Sequence, residues 1–276
     1  MERTRSQEFE KDLQLLLEAI NLTYNYDFRS YARPSVKRRV IHAMNWMGCS
    51  TLSILQEKVL QSQESFYDLL QSLTVPVSEI FRDPSYFLAL REKVVPVLRT
   101  YPSLKIWVAG CSTGEEVYSL AILLEEEGLL ERTTLYATDI NPRGLEKAKE
   151  GVFDLKEIEK HTENYTNSGG KCLLSDYYKV VQGSVRFDPV LKKNITFADH
   201  SLVTDAVFSE THLISCRNVL IYFDPELQNK VFGLFHESLC RRGFLGLGAS
   251  ETIQFSQYAK NFDPFVKDDQ VFQKKS

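Results

Sequence analysis

The sequence predicts an α/β protein in which a small helical amino-terminal domain precedes a sheet of parallel strands. Four apolar, strand-like runs occupy residues 104–110, 133–139, 194–200 and 212–218, and each is followed by a plausible helix. Such alternation is typical of a parallel sheet with right-handed crossovers. Before residue 75, in contrast, apolar residues recur at helical spacing and no convincing strand is evident.

Composition is compatible with an ordinary enzyme. The 276 residues, 43% of them hydrophobic, can form one sizeable α/β domain and a smaller one. The net charge of -4 gives no global reason to expect nucleic acid. No apolar stretch is long enough to span a bilayer, so we expect a cytoplasmic protein that is not inserted in a membrane. The cysteines and histidines show no metal-ligand spacing, and we predict neither a disulfide framework nor a metal site.

Three apolar stripes at helical spacing define the amino-terminal domain. They are Phe9, Leu13, Leu16, Leu17 and Ile20; then Val36, Val40, Ile41 and Met44; then Phe66, Leu69, Leu70 and Leu73. Pro34 is well placed at the start of the second helix, and Gly48 at its end. A hinge at 74–77 follows, so we predict a helical domain at 1–75 and a second domain at 76–276.

The second domain contains three further features. A fifth strand at 243–249 follows a helix at 225–239, and the tail at 262–266 and 270–273 is typical of a closing hairpin. Residues 151–193 interrupt the alternation of strand and helix and include a glycine turn at 167–170. Their length and their strand-like residues predict an inserted small β-subdomain instead of a plain loop.

Residues suited to binding a polar ligand stand at the ends of the four strands. Ligands of an open parallel sheet bind outside the carboxyl ends of its strands. Gly110, Asp139, Ser201 and Asn218 should therefore converge on one crevice. This arrangement suggests a bound cofactor that resembles a nucleoside.

The turn at 109–116, AGCSTGEE, indicates the charge of that cofactor. Its glycine spacing matches neither the dinucleotide fingerprint nor a Walker loop. Glu115 and Glu116 would open the next helix, where they repel phosphate and attract a cation. A sulfonium nucleoside therefore fits better than NAD or ATP. The alternative, which these two residues alone leave open, is that both glutamates only complement the helix dipole.

Asp139 and Arg217 with Asn218 are the other candidates. An acidic residue at the end of the second strand is placed to accept hydrogen bonds from ribose hydroxyls. The alternative is an N-cap for the helix that starts near Pro142, but Asn141 is better placed to form that cap. Arg217 and Asn218 interrupt an apolar strand and need partners, which either a ligand or a structural network could provide.

The hinge SEIFRD at 78–83 is ambiguous when taken alone. Ser78 could be an N-cap, and Arg82 with Asp83 could be an ordinary surface pair.

Together, four motifs give the chain a specific resemblance. They are the hinge at 78–83, the turn at 109–116 with Tyr118-Ser119, ATDIN at 137–141 and CRNVLIYFD at 216–224. The chain resembles the CheR family of chemotaxis receptor glutamate methyltransferases over nearly its whole length. The resemblance implies a class I methyltransferase sheet, S-adenosylmethionine (SAM) as cofactor with S-adenosylhomocysteine (SAH) as product, and methyl esters formed on chemoreceptor glutamates.

The resemblance also assigns roles to individual residues. Asp139 resembles the ribose ligand and Glu115 another cofactor contact, while Tyr222 is similar to the family's active-site tyrosine. Ser78 and Arg82 match hinge residues that reach over the cofactor, and Arg82 with Tyr222 would orient the glutamate. Further cofactor contacts match Ser201, Leu202, Arg217 and Asn218. Many members have Asn at the positions of Pro76 and Ser201, so this chain departs from the pattern there.

Substrate docking is assigned to a basic helix. Arg33, Lys37, Arg38 and Arg39 match the helix that meets receptors in this family, although a solvated helix face is the alternative. The insertion resembles a subdomain that, in some members, binds a receptor's carboxyl-terminal peptide by strand addition. The rival functions are a SAM-binding regulatory or scaffold protein without transfer activity, and methylation of a different protein or of a small molecule.

Overall fold

The computed structural model describes residues 2–74 and 78–276, with side chains from Gln7 onward. The chain forms two compact units, one of residues 1–75 with 221–228 and the other of 76–220 with 229–276. Pro76 and most of the predicted hinge at 74–77 lie outside the described residues. Within these ranges, the helices lack the combination of length and apolar character that crossing a bilayer requires.

The first unit is helical, as predicted. Its described helices in 2–74 are α1 (Glu2–Tyr24), α2 (Arg33–Trp46), α3 (Leu52–Gln61) and α4 (Gln63–Thr74). Pro34 lies in the first turn of α2, where its missing N–H costs nothing, and Gly48 follows the helix with a positive φ of 71°. The first and third apolar stripes contribute to the core, but Ile41 is 40% exposed, and Ala43 takes its place on the buried face.

The segment 221–224 is part of this first unit. The N–H of Ala32 donates to the carbonyl of Tyr222 at 2.8 Å, and the N–H of Asp224 donates to the carbonyl of Ser30 at 3.0 Å. The rings of Tyr31 and Phe223 meet edge to face with centroids 4.9 Å apart. Tyr222 is therefore fixed by backbone bonds to the residues that lead into α2.

Residues 78–276 contain a mixed seven-stranded sheet in the order β6-β2-β1-β7-β8-β10-β9. Its strands are β1 (Leu104–Ala109), β2 (Thr133–Asp139), β6 (Ile195–Asp199), β7 (Thr211–Cys216), β8 (Leu239–Leu247), β9 (Phe262–Val266) and β10 (Val271–Lys274). The first five are parallel, and β10 is antiparallel to both of its neighbours. The predicted parallel sheet with a closing hairpin is confirmed.

Helices flank this sheet. They are α5 (Pro84–Ala89), which continues through a π-helical turn (Leu90–Val94) into α6 (Val95–Leu98), then α7 (Glu115–Glu126), α8 (Pro142–Glu150) and α12 (Pro225–Ser238). The prediction of a helix after the third strand is wrong. There the hydroxyl of Ser201 accepts bonds from the N–H groups of Val203 and Thr204, both at 3.3 Å, and forms a turn. Side chains that bond nearby backbone in this way compete with helix formation.

The insertion forms a separate antiparallel sheet in the order β3-β5-β4, as predicted. Its elements are β3 (Val152–Asp154), α9 (Leu155–Lys160), α10 (Thr162–Asn167), β4 (Tyr178–Val181), β5 (Ser184–Phe187) and α11 (Pro189–Lys192). Glu126 at the end of α7 anchors the insertion. Its carboxylate accepts from the hydroxyls of Tyr165 at 2.5 Å and Tyr177 at 3.0 Å, and it pairs with Arg91.

Candidate functional site

The turn between β1 and α7 requires glycine for two reasons. Gly110 has a φ of +79°, and a Cβ there would lie 2.5 Å from Cγ2 of Val219. Gly114 has a φ of +99°, and a Cβ there would lie 2.9 Å from the Cβ of Ala148 in α8. No L side chain fits at such distances, and positive φ is itself unfavourable for most residues. The turn is therefore in close contact with the loop after β7 and with α8.

Asp139 ends β2 directly beside this turn. Its carboxylate accepts from the N–H of Ser112 at 2.8 Å and from the N–H of Asn141 at 2.9 Å. Burial raises the pKa of the Asp139 carboxyl above its usual value, against the opposing effect of these backbone N–H groups. Asn141 caps α8 through Arg143 and Gly144, so the preference for Asn141 as the cap is confirmed. Asp139 therefore keeps acceptor capacity for a ligand.

The two glutamates that open α7 have different partners. Glu115 accepts from the hydroxyl of Thr113, which lies 2.8 Å from both carboxylate oxygens, and burial raises the pKa of its carboxyl. Glu116 accepts from the hydroxyl of Ser215 at 2.6 Å and pairs with Arg217 at 3.1 Å. Glu116 is therefore neutralised within the protein, whereas Glu115 offers negative charge at the helix start.

Arg217 lies in the interior of the second unit, with its side chain only 1% exposed. Besides Glu116, its guanidinium binds the carboxylate of Asp83 at 2.7 Å and the carbonyl of Arg82 at 2.9 Å. It also lies 4.2 Å above the ring of Tyr86. These bonds form a structural network around Arg217, and a cofactor contact of this residue stays a prediction.

The hinge motif is held in a strained turn. Phe81 and Asp83 have φ values of +52° and +55°, and the N–H of Phe81 donates to the hydroxyl of Ser119 at 2.8 Å. Asp83, not Ser78, is the N-cap of α5, so the N-cap interpretation of Ser78 is wrong. Asp83 pairs with Arg217 and not with Arg82. Among the residues that the structure describes, Arg82 has no ion-pair partner, although its backbone is fixed on both sides.

The remaining predicted cofactor residues follow β6 and β7. Asn218 adopts a φ of +60°, and its N–H donates to Glu251 at 2.9 Å. Ser201 forms the turn after β6 described above, and the adjacent Leu202 is buried. Ser201 also lies near Asp139, because the N–H of the preceding His200 donates to the carbonyl of Asp139 at 3.3 Å. Asp139 bonds the glycine turn through Ser112, and Val219 of the Asn218 loop contacts Gly110 in that turn.

Tyr222 and the predicted docking residues belong to the first unit. Arg39 is buried, donates to the carbonyl of Leu73 at 3.2 Å and stacks over the Tyr222 ring at 4.4 Å. Arg33 and Lys37 both pair with Glu10 at 2.8 Å. Arg38 is the exposed member of the set. It lines a groove of about 540 Å³ together with Arg39, His42, Trp46, Asp68, Gln71 and Ser72.

Two residues of this edge were not singled out in the sequence. The hydroxyl of Ser112 is buried and has no hydrogen-bond partner among the described residues. Glu251 is 5% exposed and accepts from backbone N–H groups of the loop after β7. Ser112 is a polar residue within the AGCSTGEE turn, and that position was a usable signal. Nothing in the sequence around Glu251 indicates its contacts.

These groups fit a nucleoside cofactor that carries positive charge. Asp139 can accept from ribose hydroxyls, Glu115 can face a cation, Gly110 allows close backbone approach, and the Ser112 hydroxyl lacks a partner within the described part of the chain. A strand order of third, second, first, fourth and fifth, followed by a hairpin, places them at the carboxyl edge of the sheet. The fold and this site define a class I SAM-dependent methyltransferase.

Comparisons with known proteins identify the family. The description "CheR methyltransferase, SAM binding domain" matches residues 76–267, and "CheR methyltransferase, all-alpha domain" matches residues 11–74. The chain therefore belongs to the CheR methyltransferase family, and SAM is its cofactor.

Two relatives, from Pseudomonas putida and Listeria monocytogenes, agree with this assignment. A Pseudomonas putida protein named as a methyltransferase, Cher3, is 57% identical over 263 residues, which cover 95% of this chain and 96% of that protein. The chemotaxis protein methyltransferase of Listeria monocytogenes is 30% identical over 89% of this chain and 92% of its own. The solved structure of the Bradyrhizobium japonicum N-methyltransferase NodS with SAH has a TM-score of 0.35 at 14% identity, covering 62% of each chain.

Proposed function

We propose that the protein transfers the methyl group of SAM to glutamate side chains of chemoreceptor cytoplasmic domains, and acts in the cytoplasm in sensory adaptation. The observation that carries the proposal is the environment of Arg82. Its backbone is fixed by Arg217 and its guanidinium has no ion-pair partner among the described residues. A guanidinium without an ion-pair partner within the protein suits an anionic acceptor. The name of the Listeria monocytogenes relative supports a role in chemotaxis.

In this proposal one predicted domain binds the cofactor and the other docks the receptor. Residues 76–276 hold the cofactor: Asp139 accepts from the ribose, and Glu115 faces the positive end of SAM. Further contacts come from Ser78, Ser201, Leu202, Arg217 and Asn218. Residues 1–75 dock the receptor, chiefly through the exposed Arg38, because Arg33 and Lys37 are already paired with Glu10 and Arg39 is buried.

The chemistry needs little acid-base assistance. When bound, SAM supplies an electrophilic methyl group on a sulfonium. A glutamate with an ordinary pKa of about 4.3 is already a carboxylate at neutral pH, so no general base is required. The protein contributes by aligning the carboxylate oxygen with the methyl donor and by excluding water.

Arg82 and Tyr222 orient the acceptor. The arginine offers a charge-assisted hydrogen bond and the tyrosine a neutral one. The product ester is neutral, so an interaction that stabilised the ground-state carboxylate too strongly would raise the barrier. Arg82 is therefore proposed to direct the carboxylate without burying it in a tight bidentate pair.

The test combines binding and transfer in one preparation. Calorimetric titration with SAH is followed by transfer from labelled SAM to receptor cytoplasmic fragments. Base-labile label on glutamate would support the proposal. Binding without transfer to any receptor fragment would contradict it and favour the scaffold function or another substrate. The Asp139→Asn variant is the control, since it should lose both SAH binding and label.

A further inference from the structure

Glu251 is a buried carboxylate at the carboxyl edge of the large sheet. Among the described residues, it accepts hydrogen bonds from four backbone N–H groups. One oxygen, Oε1, accepts from Val219 at 2.9 Å and Leu220 at 2.7 Å. The other, Oε2, accepts from Asn218 at 2.9 Å and Gly248 at 2.7 Å. A single side chain thus satisfies backbone donors from two loops.

These donors lie where the sheet ladder stops. Cys216 and Leu247 are the last paired residues of β7 and β8, and Asn218 and Gly248 follow shortly after them. Backbone N–H groups that lose ladder partners in a buried place must find other acceptors. The carboxylate of Glu251 accepts hydrogen bonds that a neighbouring strand would otherwise accept. One of its donors is Asn218, which has a φ of +60°.

The loop held by Glu251 is in contact with the glycine turn. Cγ2 of Val219 occupies the space of a Cβ at Gly110, at 2.5 Å. The same turn contains Ser112, whose N–H donates to Asp139. A movement of Val219 would therefore push against the turn that fixes the carboxylate of Asp139.

We propose that Glu251 is a positioning residue of the SAM site. It holds the loop from Asn218 to Leu220 against Gly110, so that Asn218 and the turn around Asp139 keep the geometry that binds the cofactor. Glu251 acts through these backbone groups and touches no reacting atom. The proposal rests on the cofactor site of the family and not on the choice of methyl acceptor.

The test is calorimetric titration of the full chain with SAH, together with thermal unfolding, for Glu251→Gln and a matched control. Glutamine keeps the shape, but its NH2 group faces N–H donors and cannot accept from them. The control is Thr211→Val, which removes a buried bond of 3.0 Å to the carbonyl of Ser238 at the opposite end of β7. We expect both variants to lower Tm and only Glu251→Gln to raise the Kd for SAH, by about tenfold or more.

Two results would overturn the proposal: an SAH affinity of Glu251→Gln within twofold of the wild type, or an equal loss of affinity in Thr211→Val. If Glu251→Gln does not fold, Gly248→Ala provides the second variant. A Cβ at Gly248 would lie 2.7 Å from Oε2 of Glu251 and 2.8 Å from the nitrogen of Asn218, so it displaces the same contacts. Wild-type SAH affinity in a folded Gly248→Ala protein would equally refute the role of Glu251. Because SAH binding needs no receptor, failure here is distinct from failure of the proposed methyl acceptor.

Discussion

Glu115 and Glu116 are adjacent in the sequence, and their carboxylates have separate partners, so neutralising each should have a different consequence. Glu116→Gln removes the charge that faces Arg217, whose side chain is 1% exposed. It also weakens the acceptor of the Ser215 hydroxyl, which lies 2.6 Å away. Arg217 keeps Asp83 as a partner, although the Asp83 side chain is 40% exposed.

The expected loss of stability can be worked out from these contacts. A hydrogen bond to a charged group contributes about 1.5–3 kcal/mol. Glutamine retains one acceptor oxygen for one of the two bonds, and Asp83 still partly neutralises Arg217. The loss should therefore be about 2–4 kcal/mol, below the roughly 3–5 kcal/mol of a fully broken buried pair. For a domain of this size we expect a decrease in Tm of about 4–16 °C.

Glu115→Gln should behave in the opposite way. Burial already disfavours the charged form of Glu115, so neutralisation should change stability by no more than about 1 kcal/mol. Losing a charge that faces the sulfonium should raise the Kd for SAM by about 10- to 100-fold, whereas SAH, which has no sulfonium charge, should be affected less. Thermal unfolding and SAM calorimetry measure both quantities, and Glu125→Gln on the exposed surface of α7 is the matched control, expected within about 0.5 kcal/mol of the wild type.

The reasoning fails if the two variants cannot be distinguished. A Glu116→Gln protein as stable as the wild type would show that the pair with Arg217 contributes nothing. An unchanged SAM affinity in Glu115→Gln would remove Glu115 from the cofactor site.

Three further predictions concern turnover, docking and pH. Tyr222→Phe should lower the rate of receptor methylation more than it raises the Kd for SAH; an unchanged rate would remove Tyr222 from the mechanism. Arg38→Glu should weaken receptor methylation with SAH affinity intact, and a normal KM for receptor would contradict docking through this residue. Because burial raises the pKa of both Glu115 and Asp139, protonation should weaken SAM binding as pH falls from 7 to 5; Glu115→Gln should show a shallower decline, and a flat wild-type profile would refute the idea.

The positions of the parallel strands were predictable because each of these strands is an apolar run bounded by turn residues. The boundaries of β2 and β9 coincide with the prediction. The fifth strand starts at Leu239, four residues earlier than predicted, because it follows the end of α12 without a loop. The missing helix after β6 was not predictable from apolar spacing, since Ser201 and Asp205 bond the local backbone.

The hydrogen-bond acceptors of the candidate site could be predicted from the sequence, whereas its internal ion pairs mostly could not. Asp139 follows a strand directly, and strand ends of a parallel sheet meet by geometry. Whether Arg217 faces a ligand or Glu116 depends on a contact across 101 residues, which no local pattern encodes. Arg39 belongs to a basic run in the sequence, yet its neighbour Arg38 is the exposed one, because the helical period places Arg39 on the buried face.

The support of Tyr222 has a consequence for exchanging parts between relatives. Tyr222 is far from the first helices in the sequence, but its ring contacts Arg39 and its carbonyl accepts a hydrogen bond from the N–H of Ala32. In a chimera whose helices come from another family member, the residues that contact Tyr222 would come from that other protein. If Arg38 docks the receptor and Tyr222 acts in transfer, as proposed, receptor preference is best altered at outward positions such as Arg38, whereas swapping whole helices would alter catalytic rate and partner choice at once.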